Sequence, residues 1–385
     1  MLLLLGACAF RPPAETPALV AAAGPVRTVP LPAGEPVRVA VRAGSAHDPP
    51  GREGLAWVTA HAIAAAGGAT VDVGAEAVVY SVAVEGVPAL ALALAAPPSL
   101  ERVAAARTDA AQALADLDCR ALAERAWDTW IYTGHPYGHA PEGRLSVLPT
   151  LSALEVAAVQ QGRYVRSVAV VGVPVGVGLD PGLFGSLPPR LSASPVPAVR
   201  LPLPAARVLV VTAENMRCLV AGHPTDPDVA AAPAVDALLA GRGDSLVARR
   251  RQPRRLVSLP LPPDVDVGAR VAQVLAGGWL PLWQASRVFA PESTVPAANV
   301  LGDELLAMNP WPSLARPLVI GAGTGASDVS TGAAPDEPVD ALLAAWLTSA
   351  ETRAVVVLPP GEPLALESLG ATGVQAAMSA QELFQ

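Results

Sequence analysis

Apolar and polar positions alternate along "PVRVAVRA", residues 36–43, so every second side chain falls on one face and the stretch predicts a strand. A turn rich in Asp, Pro and Gly, "GSAHDPPG", follows it. Apolar positions at helical spacing then predict a helix from about Gly54 to Ala66, stopped by Gly67 and Gly68. "EAVVYSVAV", residues 76–84, predicts a second strand. A helical pattern covers roughly 99–131 and ends at the turn-former "TGHPYG"; a short helix near 151–161 and the strand "RSVAVVGV" close this half of the chain. Residues 176–205 have the Pro, Gly and Ser content of a linker, and beyond them the order starts again. "ARVLVVTAENMRCLVAGHPTDP" gives two strands and an Asp-Pro turn, then a helical pattern and a Gly-rich stop. The late strand "RAVVVLPP", residues 353–360, mirrors "RSVAVVGVP". The pattern is a two-fold internal duplication of an α+β unit.

A chain of 385 residues is long enough for two such units, each with its own core. Hydrophobic residues make up 52% of it and charged residues 16%, which excludes disorder by composition. All 26 basic residues are arginine, the net charge is -8, and no basic stripe is interleaved with aromatics, so nothing suggests nucleic-acid binding. Past the N-terminus, no run reaches the ~20 apolar residues of a membrane-spanning helix. The longest candidate, "VPALALALAAPP" at 87–98, is stopped by prolines. The N-terminal "MLLLLGACAFRPPAETPA" ends its apolar run in Leu5-Gly6-Ala7-Cys8 and resembles a bacterial lipoprotein signal. That resemblance implies lipidation of Cys8, with residues 1–32 as signal and tether. The run is short and lacks a cationic start, which points to a true initiation site elsewhere. Cys119 and Cys218 are then left over. An oxidising envelope permits them to pair, but two buried free thiols are the expectation.

Three stretches are similar to the insulinase, pitrilysin and mitochondrial-processing-peptidase family of zinc metallopeptidases. They are "VRAGSAHDPPGREGLAWVTAHAIAAAGG", "YTGHPYGHAPEGRLSVLPTLSALEVAAVQQGRYVRSVAVVGV" and "AGHPTDP…ALLAGRGDSLVARRR". The resemblance covers nearly the whole mature chain. It implies an α+β fold of two duplicated metallopeptidase-like α/β sandwich domains, each an antiparallel-rich sheet packed with helices. They would span residues 33–178 and 206–385, joined by a Pro-rich linker at 179–205. Family members carry H-x-x-E-H on a helix. Two histidines four apart hold Zn²⁺, the glutamate activates its water, and a third ligand comes from a later helix. Here Gly54-Leu55-Ala56 sets the register, so Trp57 stands at the first histidine position, Ala60 at the glutamate and His61 at the second histidine. The third ligand is expected within "DAAQALAD", where positions 111–113 hold no carboxylate and Asp109 and Asp116 lie on either side. A single imidazole cannot make a catalytic zinc site, and loss of the base alone costs ~10²–10⁴-fold in rate. The resemblance thus implies a degenerate zinc motif, no catalytic residue and no cofactor.

The remaining signals have plainer readings. His135 and His139 stand four apart in "HPYGH", but Pro136 and Gly138 favour a turn over a ligand-bearing helix. His47 and His223 read as polar turn residues, and His61 as a core or cleft-wall histidine. "GAGTGA" at 321–326 fits a dinucleotide pattern without a helix opening after it, and "GRGDS" at 241–245 occupies a helix stop. Arg249, Arg250, Arg251, Arg254 and Arg255 form a solvated basic cluster. By resemblance, Arg251 and Ser258 fall where relatives place an Arg–Tyr pair that holds substrate backbone, so half of the pair remains. Peptide would be held there, helped by strand addition onto an exposed strand such as 76–84. The expected function is a periplasm-facing envelope lipoprotein, anchored by its lipid alone, that pairs as a heterodimer with an active peptidase of the family and helps hold peptide substrate. One alternative is an active zinc metalloendopeptidase with unconventional ligands drawn from His61, His135, His139 and Asp116. The other is a free-standing peptide-binding lipoprotein.

Overall fold

The computed structural model describes residues 26–31, 33–189, 203–224, 254–275, 352–362 and 373–385. In the first half β1 (Arg27–Leu31), β2 (Val37–Val41), β3 (Thr70–Val73), β4 (Val78–Val82) and β5 (Ala169–Pro174) form one sheet in the order β1-β5-β2-β4-β3. The β1–β5 pair is parallel and the others are antiparallel. Five helices belong to this half: α1 (Leu55–Gly67), α2 (Val87–Ala95), α3 (Leu100–Ala115), α4 (Cys119–Ile131) and α5 (Ala153–Arg163). In the second half β6 (Val208–Thr212), β7 (Cys218–Pro224), β8 (Arg254–Pro260), β9 (Arg353–Leu358) and β10 (Val374–Ser379) form a sheet ordered β10-β6-β9-β7-β8. With it come α6 (Val267–Leu275) and the terminal turn α7 (Ala380–Leu383).

The duplication is visible strand by strand. β6 runs parallel to β9 as β1 does to β5, and β9-β7-β8 repeats the antiparallel order of β5-β2-β4. The chain is therefore α+β, with two mixed sheets and helices packed on them.

Several expectations change. Arg27–Leu31 belongs to the sheet and not to the tether; Pro30 disguises it, and an edge strand tolerates a missing amide donor. The helical pattern at 99–131 is two helices, because Asp116 ends α3 and Asp118 caps α4 by accepting from the Ala121 amide at 2.7 Å. The expected linker starts too early: Pro181–Phe184 is a 3-10 turn, and Phe184 and Leu187 are buried in the first core. His223 sits in β7, opposite Arg255, and not in a turn. The second-half Asp-Pro turn and helix, "GRGDS", "GAGTGA", Arg251 and Cys8 lie outside the described residues.

Helix α1 is surrounded. The sheet residues Val39, Val41 and Tyr80 lie in one core with its Ala60 and Ile63, beside Leu90 and Leu94 of α2. A second core crosses between the halves: Trp127, Ala123 and Ala126 of α4 are buried with Leu209 and Val211 of β6, Val220 of β7 and Val355 and Val357 of β9. The Trp127 indole donates to the Arg353 carbonyl at 3.4 Å, and Arg353 grips the Pro204 carbonyl from Nε at 3.0 Å and Nη2 at 2.8 Å. Cys119, the first residue of α4, is disulfide-bonded to Cys218, the first of β7. The expected free thiols are a bridge, because α4 packs on the opposite sheet and brings together two cysteines 99 residues apart. No described helix is long and apolar enough to cross a membrane; the one pair that passes jointly, Val84–Ala95 with α3, is bent by 100°.

Candidate functional site

The stretch singled out by sequence begins at a left-handed glycine. Gly54 precedes α1 with φ of 98°, and a Cβ there would lie 2.7 Å from the Glu142 carbonyl and 2.9 Å from the Gly143 Cα. Gly143 faces it with φ of 101°, so two glycines let the 142–143 loop touch the helix start. The cap comes from six residues back. Asp48 accepts from the Gly54 amide at 2.8 Å and the Ala56 amide at 2.7 Å, satisfying two donors of the first turn. Burial pushes its carboxyl up to about 8, against the opposing pull of those amides and of Arg163.

The next turn carries the three motif positions. Ala60 is fully buried in the core facing the sheet. Trp57 and His61 lie one turn apart and stack, with ring centroids at 4.1 Å and planes 20° from parallel. The buried Nε1 of Trp57 and Nε2 of His61 have no hydrogen-bond partner among the described residues. Burial lowers the His61 pKa, and the carboxylates of Asp109 and Glu142 pull the other way. Asp109 is exposed on α3, whereas Glu142 is buried and bonded to Arg125 at 2.9 Å.

The other candidates do not converge on His61. Positions 111–113 on α3 hold Ala, Gln and Ala. Asp116 is at the end of α3, where both its oxygens accept from Gln112 at 2.9 and 2.8 Å. His135 and His139 lie in a turn, as Pro136 and Gly138 suggest. The His135 Nδ1 accepts from the Tyr137 amide at 3.2 Å, and the His139 Nδ1 lies 3.0 Å from the Ala140 carbonyl. Ser258 is partly buried in β8, opposite Val220.

Strand 76–84 is not the open edge expected of it. β4 lies between β2 and β3, because Thr70–Val73 returns along it, and β3 is the edge on that side of the sheet.

These residues do not fit a zinc ion. One imidazole is present at the helix, an indole lies against its face, and Ala60 brings only a buried methyl. Among the described residues no group of three or more His, Cys, Asp or Glu is placed to hold a metal. The pair offers a flat aromatic surface with two unpaired ring nitrogens.

Sequence reasoning missed a buried polar network beneath the helix start. Tyr137 donates to Glu76 at 2.5 Å, and the Arg42 guanidinium lies 3.5 Å from the same carboxylate. Next to them, burial drives the His47 imidazole down to about 3, with Arg163 and Arg42 acting in the same direction. Its only sequence signal is the run of polar residues in "GSAHD" just ahead of an apolar helix.

The geometry can now be compared with known structures. The chain matches the peptidase M16 inactive domain from Pseudomonas fluorescens with a TM-score of 0.57 and 16% identity, over 88% of this chain and 96% of that one. It matches a protease from Helicobacter pylori with a TM-score of 0.52 and 14% identity, over 86% and 96%. Against pitrilysin the TM-score is 0.53 at 13% identity, over 87% of this chain but 44% of that one. No protein-family model and no curated protein matches the sequence. At these identities the likeness is one of fold: the chain is built as an M16 peptidase is built.

Proposed function

We propose that this chain is a non-catalytic member of the insulinase-type peptidases that pairs with an active zinc peptidase of the same fold and helps hold its peptide substrate. The observation that carries the reading is the Trp57–His61 stack beside Ala60, on the helix where an active relative needs two imidazoles and a carboxylate. An exposed edge at β3 offers backbone groups to which an extended peptide can add as a strand. Arg251 and Ser258 are the proposed remnant of a peptide-holding pair. The chain is placed in the cell envelope, tethered through Cys8. The Cys119–Cys218 disulfide supports that placement, since such bonds persist in oxidising compartments.

The test is to co-express the tagged chain with an active M16-fold peptidase from the same genome. Stable co-purification, with faster cleavage of an unstructured peptide by the pair than by the active chain alone, is expected. Cleavage by this chain on its own would overturn the reading.

A further inference from the structure

Helix α2 turns an apolar face outward. Between Glu85 and Glu101 the sequence has no charged residue, and its only polar side chain, Ser99, is spent accepting from the Arg102 amide at the start of α3. The inner positions Val87, Leu90 and Leu94 are buried with Ile63 of α1 and with Phe184. The outer ones, Val84, Pro88, Leu92, Ala96 and Leu100, recur at every fourth position and are all exposed, Leu92 by 70% and Leu100 by 77%. Small alanine and proline residues between them leave these two leucines protruding.

The backbone of this segment is also withdrawn from water. The Val87 amide donates to the Val84 carbonyl, and Pro88, Pro97 and Pro98 have no amide proton. At the far end of α2, where carbonyls ordinarily point to solvent, the buried Gln160 amide of α5 shares its two protons among the Ala93, Leu94 and Ala96 carbonyls at 2.9, 2.9 and 3.0 Å. Stable protein interfaces carry about one hydrogen bond per 100–200 Å² and favour Tyr, Trp and Arg, and residues 86–100 contain none of the three. A hydrocarbon phase requires the opposite, an apolar surface whose backbone groups are satisfied within the protein. Val26, the first described residue, is buried in the same core as Leu90 and Leu94, so the segment that carries Cys8 is joined to the half that bears this face.

We infer that the outer face of α2, from Val84 to Leu100, rests on the surface of a lipid bilayer, with Leu92 and Leu100 entering its acyl boundary. The helix lies on the bilayer and does not span it, since nine residues reach only about 14 Å. This contact goes beyond pairing with a peptidase and needs no lipid on Cys8; where that anchor exists, the face sets which side of the chain lies against the membrane.

The experiment uses the full chain as Cys8→Ser, so that no lipid is attached, with an environment-sensitive fluorophore on Leu92→Cys and phosphatidylcholine vesicles as the probe. Vesicles should brighten the emission and shift it to the blue, while the same fluorophore on Asp72→Cys, at the β3 edge, stays as it is in buffer. Leu92→Asp should lower the affinity of the unlabelled chain for the vesicles at least about tenfold, with unchanged circular dichroism. A fluorophore at position 92 that ignores the vesicles, or an affinity untouched by Leu92→Asp, would overturn the inference. A shift at position 92 that follows protein concentration without vesicles assigns the face to a second copy of the chain and overturns it equally. No arm depends on acylation or on a peptidase, so the lipid anchor and the pairing can each fail without changing these results.

Discussion

Trp57 covers one face of His61 at 4.1 Å, and this contact occupies the ground on which two imidazoles would have to converge. Trp57 also packs against the core under α1 and against the core that crosses between the halves. Replacing it with alanine removes a large aromatic surface and the stack, and should cost roughly 2–4 kcal/mol. Urea denaturation of Trp57→Ala measures this; a change under 0.5 kcal/mol would mean that the indole does not support the helix.

Trp57→His asks the converse question. It places two imidazoles at i and i+4, the spacing that holds zinc on a helix, with Asp109 on the neighbouring helix. The variant is expected to bind zinc at least about tenfold more tightly than the wild type by competition with a chelating dye, and still to cleave nothing, because Ala60 supplies no base. Unchanged zinc affinity would show that α1 is not the relic of a metal helix.

The Cys119–Cys218 bridge closes a loop of 99 residues between α4 and the opposite sheet. Chain-entropy arguments give about 4.7 kcal/mol for a loop of that size, an upper figure for the real effect. Cys119→Ser with Cys218→Ser should lower stability by roughly 2–5 kcal/mol and remove the stabilising difference between oxidised and reduced wild type. Equal stability of both redox forms would contradict a bridge that ties the halves together.

Acid acts on the start of α1 in two opposing ways. Burial lowers the His47 pKa from 6.5 to about 3, so the stability it contributes is complete above the ordinary value and is lost as pH falls. Asp48, raised from 3.8 to about 8, gains stability as pH falls from 8 toward 4. His47→Gln removes the first effect and leaves the second, so its stability relative to wild type should rise between pH 7 and pH 5. Urea titrations of the two proteins at the two pH values check it; an unchanged difference would contradict a buried neutral His47.

Gly143→Ala should destabilise by more than the ordinary 1 kcal/mol for such a change, since the position has φ of 101° and the new methyl would run into the Glu53 and Gly54 backbone. Thermal melts of Gly143→Ala against the neutral control Gly178→Ala, whose Cβ meets nothing within 4 Å, separate close approach from loop entropy.

How much of this was legible in the sequence depended on whether the cause was local. Alternation marked β2, β5 and β9, and apolar spacing with a double-glycine stop marked α1. Thr70–Val73 was passed over because it is a four-residue edge, and α2 because "VPALALALA" is apolar at almost every position and so has no face to read. Trp57, Ala60 and His61 were placed on the right helix by Gly54. The stack between them was not foreseen, nor was Asp48 capping across six residues. The disulfide was invisible for the same reason: it depends on α4 leaving its own half to cover the other sheet.

The most direct test of the central claim is zinc content by elemental analysis of the dialysed full chain, paired with cleavage of a quenched unstructured peptide at pH 7. Zinc well below one equivalent and no cleavage is the predicted result. One equivalent of zinc with chelator-sensitive cleavage would contradict it, and would mean that the Trp57–His61 helix is part of a working metal site.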